Sequence, residues 1–302
     1  MTEEVLQGLS REPKSISPKY FYDAKGSALF DQITALDEYY LTRTEMDLLD
    51  ANLAEIADQL GNDVCLIEYG SGSSLKIRKM LQAMTPRAYV PLDISNEHLQ
   101  ANAKALHDDF PQLHVYPVCA DFSQPFELPD AVKSFTKVGF FPGSSIGNFE
   151  PADAQKFLVN VRETVGLGGA LLVGVDRKKS IQVLESAYND AAGITAAFNL
   201  NVLSHINNEL DANFALDQFK HMARYNVDSG CIQMFLQSTR SQQVRIAGEV
   251  VEFADAERLH TENSYKYHPQ EFLSLASKAG FVEIAQWSDS QEWFNLYLLR
   301  GV

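Results

Sequence analysis

Cysteine is scarce. The 302 residues hold three, Cys65, Cys119 and Cys231, too far apart for zinc-ligand spacing or a disulfide framework. They read as small buried hydrophobes in a reducing compartment. No apolar run approaches the ~18–20 residues of a membrane span, and the N-terminus MTEEVLQGLSREPK is acidic and polar where a signal peptide is basic and then apolar. A cytoplasmic location is expected. Basic residues are outnumbered as well, 25 Lys and Arg against 40 Asp and Glu, for a formal net charge of −15 with no basic run. Such a surface repels phosphate backbones and anionic headgroups, so neither nucleic acid nor membrane is an expected partner. The 45% of hydrophobic and 22% of charged residues match a folded globular chain, long enough for one large domain or two of modest size.

Residues 1–45 show no simple helix or strand period. Their aromatic cluster, Tyr20, Phe21, Tyr22, Tyr39 and Tyr40, serves either internal packing or the wall of a pocket. A helical period runs from Thr44 through Met46, Leu48, Leu49, Leu53, Ile56 and Leu60 to a stop at Gly61. Strand and helix then alternate. VCLIEYG, AYVPLD, LHVYPVCADF, KVGFF and GALLVGVD are nearly continuous apolar strands, and a helix starts at Pro151. That alternation predicts an α/β fold with a parallel, doubly wound sheet covered on both faces. Residues 179–267 interrupt it with a helical stretch over 180–211 and alternating strands that turn at Asp228-Ser229-Gly230. A helix in HPQEFLSLASKAGF and two closing strands, VEIAQWSD and EWFNLYLLR, end the chain.

The turn Glu68-Tyr69-Gly70-Ser71-Gly72-Ser73-Ser74 joins a strand to a helix, where glycines let a ligand approach backbone amides. Asp93 ends the next strand 21 residues after Gly72, close to the spacing at which a carboxylate meets a ribose hydroxyl pair. Leu75 stands where a dinucleotide fold has its third glycine, and that glycine permits close helix packing beside a pyrophosphate. An adenosine ligand without pyrophosphate is favoured, and S-adenosylmethionine fits. An NAD-dependent oxidoreductase is disfavoured by the same absence. Asp121 and Phe122, ending the third strand, offer a carboxylate and a ring to the adenine; an Asx turn at Asp121 is the alternative. Lys76 either pairs with the carboxylate of an amino-acid tail or is a solvated helix lysine.

Six motifs in order, YFYDAKGSALFDQIT, EYYLTRTE, IEYGSGSSLK, FFPGSSIGNF, YNDAAGITAAFNLNVL and HTENSYKY, resemble the histidine-specific S-adenosylmethionine-dependent methyltransferase family. The similarity runs from about Ser17 to the C-terminus. It implies a Rossmann-like methyltransferase domain of residues 45–178 plus 268–302, and a smaller α+β substrate domain of residues 12–44 plus 179–267. The implied reaction is transfer of methyl groups to the α-amine of L-histidine, three times, to give hercynine for ergothioneine synthesis. The cofactor residues are then Glu68, Gly70, Ser71, Gly72, Lys76, Asp93, Asp121 and Phe122. Tyr22, Asn148 and the carbonyl of Gly143 surround the reacting amine, Asn148 and Tyr188 hold the carboxylate, and Tyr39 lies near the imidazole.

The resemblance assigns Tyr39, and only one of Tyr39 and Tyr40 can face the pocket, because consecutive side chains of an extended segment face opposite ways. Asn148 has an alternative role as a cap of the helix at Pro151. Within the resemblance, Glu262 and Ser264, two apart on an extended segment, share a face and offer an acceptor and a donor to the two imidazole nitrogens; without it they read as an exposed strand-edge pair. The amine loses its proton to bulk water through Tyr22 or a bound water. A metal is not called for, and a monomer acting on a small molecule is expected. Two other readings compete: the same chemistry on another aromatic amino acid such as tryptophan, which leaves Glu262 poorly compensated, and a binding module without catalysis.

Overall fold

The computed structural model describes residues 1–71, 75–94 and 96–302, with the backbone alone of Glu97 and His98. The chain divides into two compact units, Met1–Tyr40 with Lys179–Tyr265, and Leu41–Lys178 with Lys266–Val302. In chain order the strands are β1 (Val64–Tyr69), β2 (Ala88–Asp93), β3 (His114–Val115), β4 (Val118–Cys119), β5 (Thr136–Phe141), β6 (Ala170–Asp176), β7 (Phe219–Asn226), β8 (Cys231–Ser238), β9 (Gln242–Ile246), β10 (Glu249–Phe253), β11 (Arg258–Tyr265), β12 (Phe281–Ser288) and β13 (Phe294–Gly301). The α-helices are α1 (Thr2–Leu9), α2 (Ala24–Thr34), α3 (Tyr40–Leu60), α4 (Leu75–Met84), α5 (Asn96–Asp109), α6 (Pro151–Val165), α7 (Ile181–Tyr188), α8 (Ile194–Leu210) and α9 (Pro269–Lys278).

The larger unit holds a sheet in the order β12-β13-β6-β5-β1-β2-β3, with β4 also on β2. β13 runs antiparallel to β6 and β12, and the remaining pairs are parallel. Every residue of β1 and β6 is buried, as strands covered on both faces require. Alternate residues serve the two covers. Val64 and Leu66 join Leu49 and Ile56 of α3 and Ile77 and Met80 of α4 in one core. Tyr69 faces the other way, its ring 5.5 Å from that of Phe157 on α6 and 6.3 Å from those of Phe122 and Phe141. β1 has β2 on one side and β5 on the other, so the chain order reverses there, and the carboxyl ends of strands at such a switch point are where open α/β sheets bind ligands.

In the smaller unit β11, β8 and β7 form an antiparallel sheet and β9 pairs with β10. Phe198 of α8 stacks on Phe21 at 4.6 Å and meets Tyr22 and Phe30 at 5.9 Å each. That packing ties the N-terminal segment to the inserted one.

Several local expectations are corrected. The N-terminal segment contains α1 and α2, short helices whose period is hard to read; Asp23 starts α2 by accepting from Gly26 N at 2.6 Å. The helix expected from Thr44 begins at Tyr40, because Leu41 extends its apolar stripe by one turn. The helical stretch 180–211 is two helices, and Asp190 caps the second by accepting from the amides of Ile194 and Thr195, both at 2.8 Å. The third strand is two short pieces on either side of Pro117, which has no N–H to give a ladder. Cys65 and Cys231 are buried, but Cys119, on one of those short pieces, is exposed.

Candidate active site

In the larger unit the expected cofactor residues lie at or follow the carboxyl ends of β1, β2 and β4. Glu68, the last residue but one of β1, is buried and accepts a hydrogen bond from the Tyr89 hydroxyl. Burial pushes its carboxyl up to about 7, against the Tyr89 bond and the Lys76 charge that pull it down, while Asp93 pushes it further up. The amides of Gly70 and Ser71 both donate to the Leu92 carbonyl, at 3.0 and 2.9 Å. They are therefore spent within the sheet and not offered to a ligand, a correction to the expected cradle. Gly72 lies outside the described residues. Asp121 forms the alternative Asx turn, Oδ1 accepting from Ser123 N at 2.9 Å and Ser123 Oγ at 2.5 Å. Phe122 packs against Tyr69, Phe141 and Phe157.

Lys76 is not a solvated helix lysine. Its side chain is 16% exposed and its Nζ is bonded to Glu45, whose side chain is fully buried. Gly143 follows β5 with φ +79°, a conformation open to glycine. Its N–H is donated to Glu45 at 2.9 and 2.8 Å, so its carbonyl is what it has to offer a substrate. Asn148 ends a short 3-10 turn, Ser145–Asn148. It does not cap α6, whose N-cap position is Glu150 and which has no side-chain cap.

In the smaller unit Tyr22, Phe30, Tyr39 and Tyr188 make a run of edge-to-face contacts, with centroids 5.9, 6.2 and 6.3 Å apart in turn. Tyr39 precedes α3 and Tyr40 is its first residue, so the two diverge at a helix start rather than along an extended segment. Tyr40 takes a different partner, its hydroxyl accepting from Lys179 Nζ at 2.6 Å. Glu262 and Ser264 are both buried on β11, while Asn263 between them bonds His260 at 2.9 Å. A bulge between His260 and Glu262 turns both Thr261 and Glu262 inward. The Tyr188 hydroxyl, expected toward a substrate carboxylate, is donated to Ser264 Oγ at 2.9 Å.

Crowding by protein, then the charge of Glu262 and the phenol of Tyr188, push the Tyr22 hydroxyl above its ordinary range. The 42% exposure of Tyr22 limits the share due to crowding. The structure thus places Tyr22, Tyr39, Tyr188, Glu262 and Ser264 in one unit, and Gly143, Asn148 and the cofactor candidates in the other.

Three groups were missed in the sequence. Glu45 is legible in hindsight as a charged residue on the buried stripe of α3, in line with Leu41, Leu48 and Leu49. Lys266 and Asp176 form a fully buried ion pair at 2.7 Å; they are distant in sequence and carry no local signal. Behind Tyr188, His221 Nε2 contacts the Tyr188 carbonyl at 2.9 Å and its Nδ1 meets Asn199 Nδ2 at 2.8 Å. Those partners fix the Nε2–H tautomer, and burial lowers its tendency to charge.

A family model described as histidine-specific methyltransferase, SAM-dependent, matches residues 1–301. The chain belongs to this family. A histidine N-alpha-methyltransferase from Mycolicibacterium smegmatis is 40% identical over 99% of the chain and 94% of its own length. The ergothioneine biosynthesis protein 1 of Neurospora crassa is 30% identical over 95% of the chain but only 33% of that longer protein. Among solved structures, an S-adenosylmethionine-dependent methyltransferase from Clostridium acetobutylicum superposes with a TM-score of 0.50 at 12% identity, covering 91% of this chain and 97% of that one. This last likeness is one of fold.

Proposed function

We propose that this methyltransferase transfers methyl groups to the α-amine of L-histidine, three times, giving hercynine. The observation that carries the reading is the buried pair Glu262 and Ser264 on one face of β11, beside the aromatic run from Tyr22 to Tyr188. A buried carboxylate and hydroxyl at that spacing match the donor and acceptor nitrogens of an imidazole. An indole has one N–H and no acceptor, which leaves part of the set unpaired. The name of the Mycolicibacterium relative supports the same substrate, and that of the Neurospora relative supports the ergothioneine pathway.

The larger unit fits S-adenosylmethionine. Glu68 and Asp93 lie at the carboxyl ends of adjacent strands and influence each other electrostatically, Phe122 supplies an aromatic face, and Lys76 is the second residue of α4. Glu68, Gly72, Lys76, Asp93, Asp121 and Phe122 would hold it, the Gly70 and Ser71 amides being spent on Leu92. When bound, it supplies an electrophilic methyl group on a sulfonium.

Asn148 holds the amine and carboxylate of histidine, and the Gly143 carbonyl faces the amine. Tyr188 and Ser264 satisfy each other until the substrate enters. Tyr188 then turns its hydroxyl to the carboxylate, and Ser264 donates to the acceptor nitrogen of the ring. Glu262 accepts from the other nitrogen. Tyr22 keeps its proton, since its hydroxyl is held above the ordinary phenol range, so it orients the amine and relays its proton to water instead of acting as a phenolate base. Most of the acceleration comes from alignment in a water-poor setting. The growing positive charge on nitrogen meets the faces of Tyr22 and Tyr39, an attraction of about 0.5–2 kcal/mol.

No described helix is long and apolar enough to cross a membrane. The net charge of −15 weighs against a nucleic-acid partner. The test is mass spectrometry of the purified protein incubated with S-adenosylmethionine and each common amino acid in parallel. Histidine alone gaining up to three methyl groups is the expected result. Methylation of another amino acid would remove Glu262 and Ser264 from their roles, and no methylation at all would favour a binding module.

A further inference from the structure

Glu45 is a carboxylate with no exposed side-chain surface, on an otherwise apolar stripe of α3. A buried charge is costly unless paired and hydrogen-bonded, and Glu45 is both. One oxygen is bonded to Lys76 Nζ, and the carboxylate receives the Gly143 N–H at 2.9 and 2.8 Å. A methyl group built on Gly143 would lie 3.8 Å from Lys76 Nζ, which shows how near the two partners are. Lys76 opens the helix after β1 and Gly143 follows β5, so Glu45 links the loops on either side of the topological switch point. The opposite wall is shaped for it. A Cβ at Gly174 of β6 would overlap Glu45 Oε1 and come within 3.0 Å of the Phe294 ring.

We propose that Glu45 is a positioning residue that fixes Lys76 for the zwitterionic amino-acid tail of the methyl donor and, through the same carboxylate, fixes Gly143 for the substrate amine. The inference rests on the reading of this unit as the S-adenosylmethionine site. Lysine carries three donors on a flexible stem. Glu45 occupies one and anchors the ammonium, leaving the others directed at the tail carboxylate. Without the anchor, Lys76 swings toward water and the Gly143 turn loses its only charged acceptor among the described residues.

Two ligands separate positioning from general stability. S-adenosylhomocysteine carries the tail and 5′-methylthioadenosine lacks it. In Glu45→Gln, calorimetry is expected to show S-adenosylhomocysteine weakened on the order of 10-fold, with 5′-methylthioadenosine unchanged and kcat for histidine lowered as well. Gly174→Ala, which displaces the carboxylate from the other wall, should reproduce the ligand-selective loss even if one of the two variants folds poorly. In a Lys76→Met background, Glu45→Gln should add little further loss of S-adenosylhomocysteine. Equal weakening of both ligands, no change in either, or tighter binding of S-adenosylhomocysteine each overturns the proposal. A wild-type protein that binds neither ligand overturns the reading of the site itself, which is a distinguishable result.

Discussion

Glu262 lies two residues from Ser264 with both side chains buried, and a carboxylate in that setting is justified by a partner that donates to it. Replacing Glu262 with Ala should lower kcat/KM for histidine on the order of 100-fold, the worth of a charge-assisted hydrogen bond, while S-adenosylhomocysteine affinity stays within about twofold. Equal losses in both would remove Glu262 from substrate recognition. Glu68 makes a prediction about pH. Its folded carboxyl is raised from 4.5 to about 7, chiefly by burial. The protonated form is the favoured one in the folded state, so its contribution is fully present below about pH 4.5 and is lost as pH rises through about 7. The ligand-free protein should lose stability across that window by an amount on the order of 3 kcal/mol at most, and Glu68→Gln should flatten the loss in urea titrations run at several pH values.

At the scale of elements, α8 depends on its cap. Asp190 receives the amides of Ile194 and Thr195 at 2.8 Å each, and the preceding Gly193 has no side chain to substitute for it. Asp190→Ala should cost about 1–2 kcal/mol in denaturant unfolding, and Asp190→Asn well under that. Because Phe198 of α8 stacks on Phe21 and meets Tyr22, loosening this helix should also raise KM for histidine. An Asp190→Ala variant with lowered stability and unchanged KM would show that α8 does not set Tyr22. Elements differ in how clearly the sequence announced them. β1, β2, β5 and β6 are unbroken apolar runs that admit few alternatives, whereas α1 and α2 are too short for a period to stand out, and the edge pieces β3 and β4 are cut by Pro117.

For the whole molecule, the charge of −15 and the sheet topology both direct attention to small ligands at the carboxyl ends of the strands. S-adenosylhomocysteine at 100 times its Kd should stabilise the protein by about 2.7 kcal/mol, visible as a rise in Tm, and NAD at the same concentration should give none. A rise with NAD alone would return the oxidoreductase reading to the front.

The α/β class, the alternation of strand and helix up to β6 and the six motifs were legible because each rests on local periodicity or on residues close in sequence. The same is true of Glu262 with Ser264, where a two-residue spacing on an extended segment already puts both on one face. Other features were decided only by the tertiary structure. The amides of Gly70 and Ser71 are spent on the Leu92 carbonyl of the neighbouring strand, which nothing in the turn itself reveals. Glu45, Lys76 and Gly143 meet from three separate elements, and Asp176 meets Lys266 from two. Periodicity reports which side of an element faces inward, but the partner found there is set by long-range packing. A buried charge is tolerable only where that packing supplies the opposite charge and the hydrogen bonds.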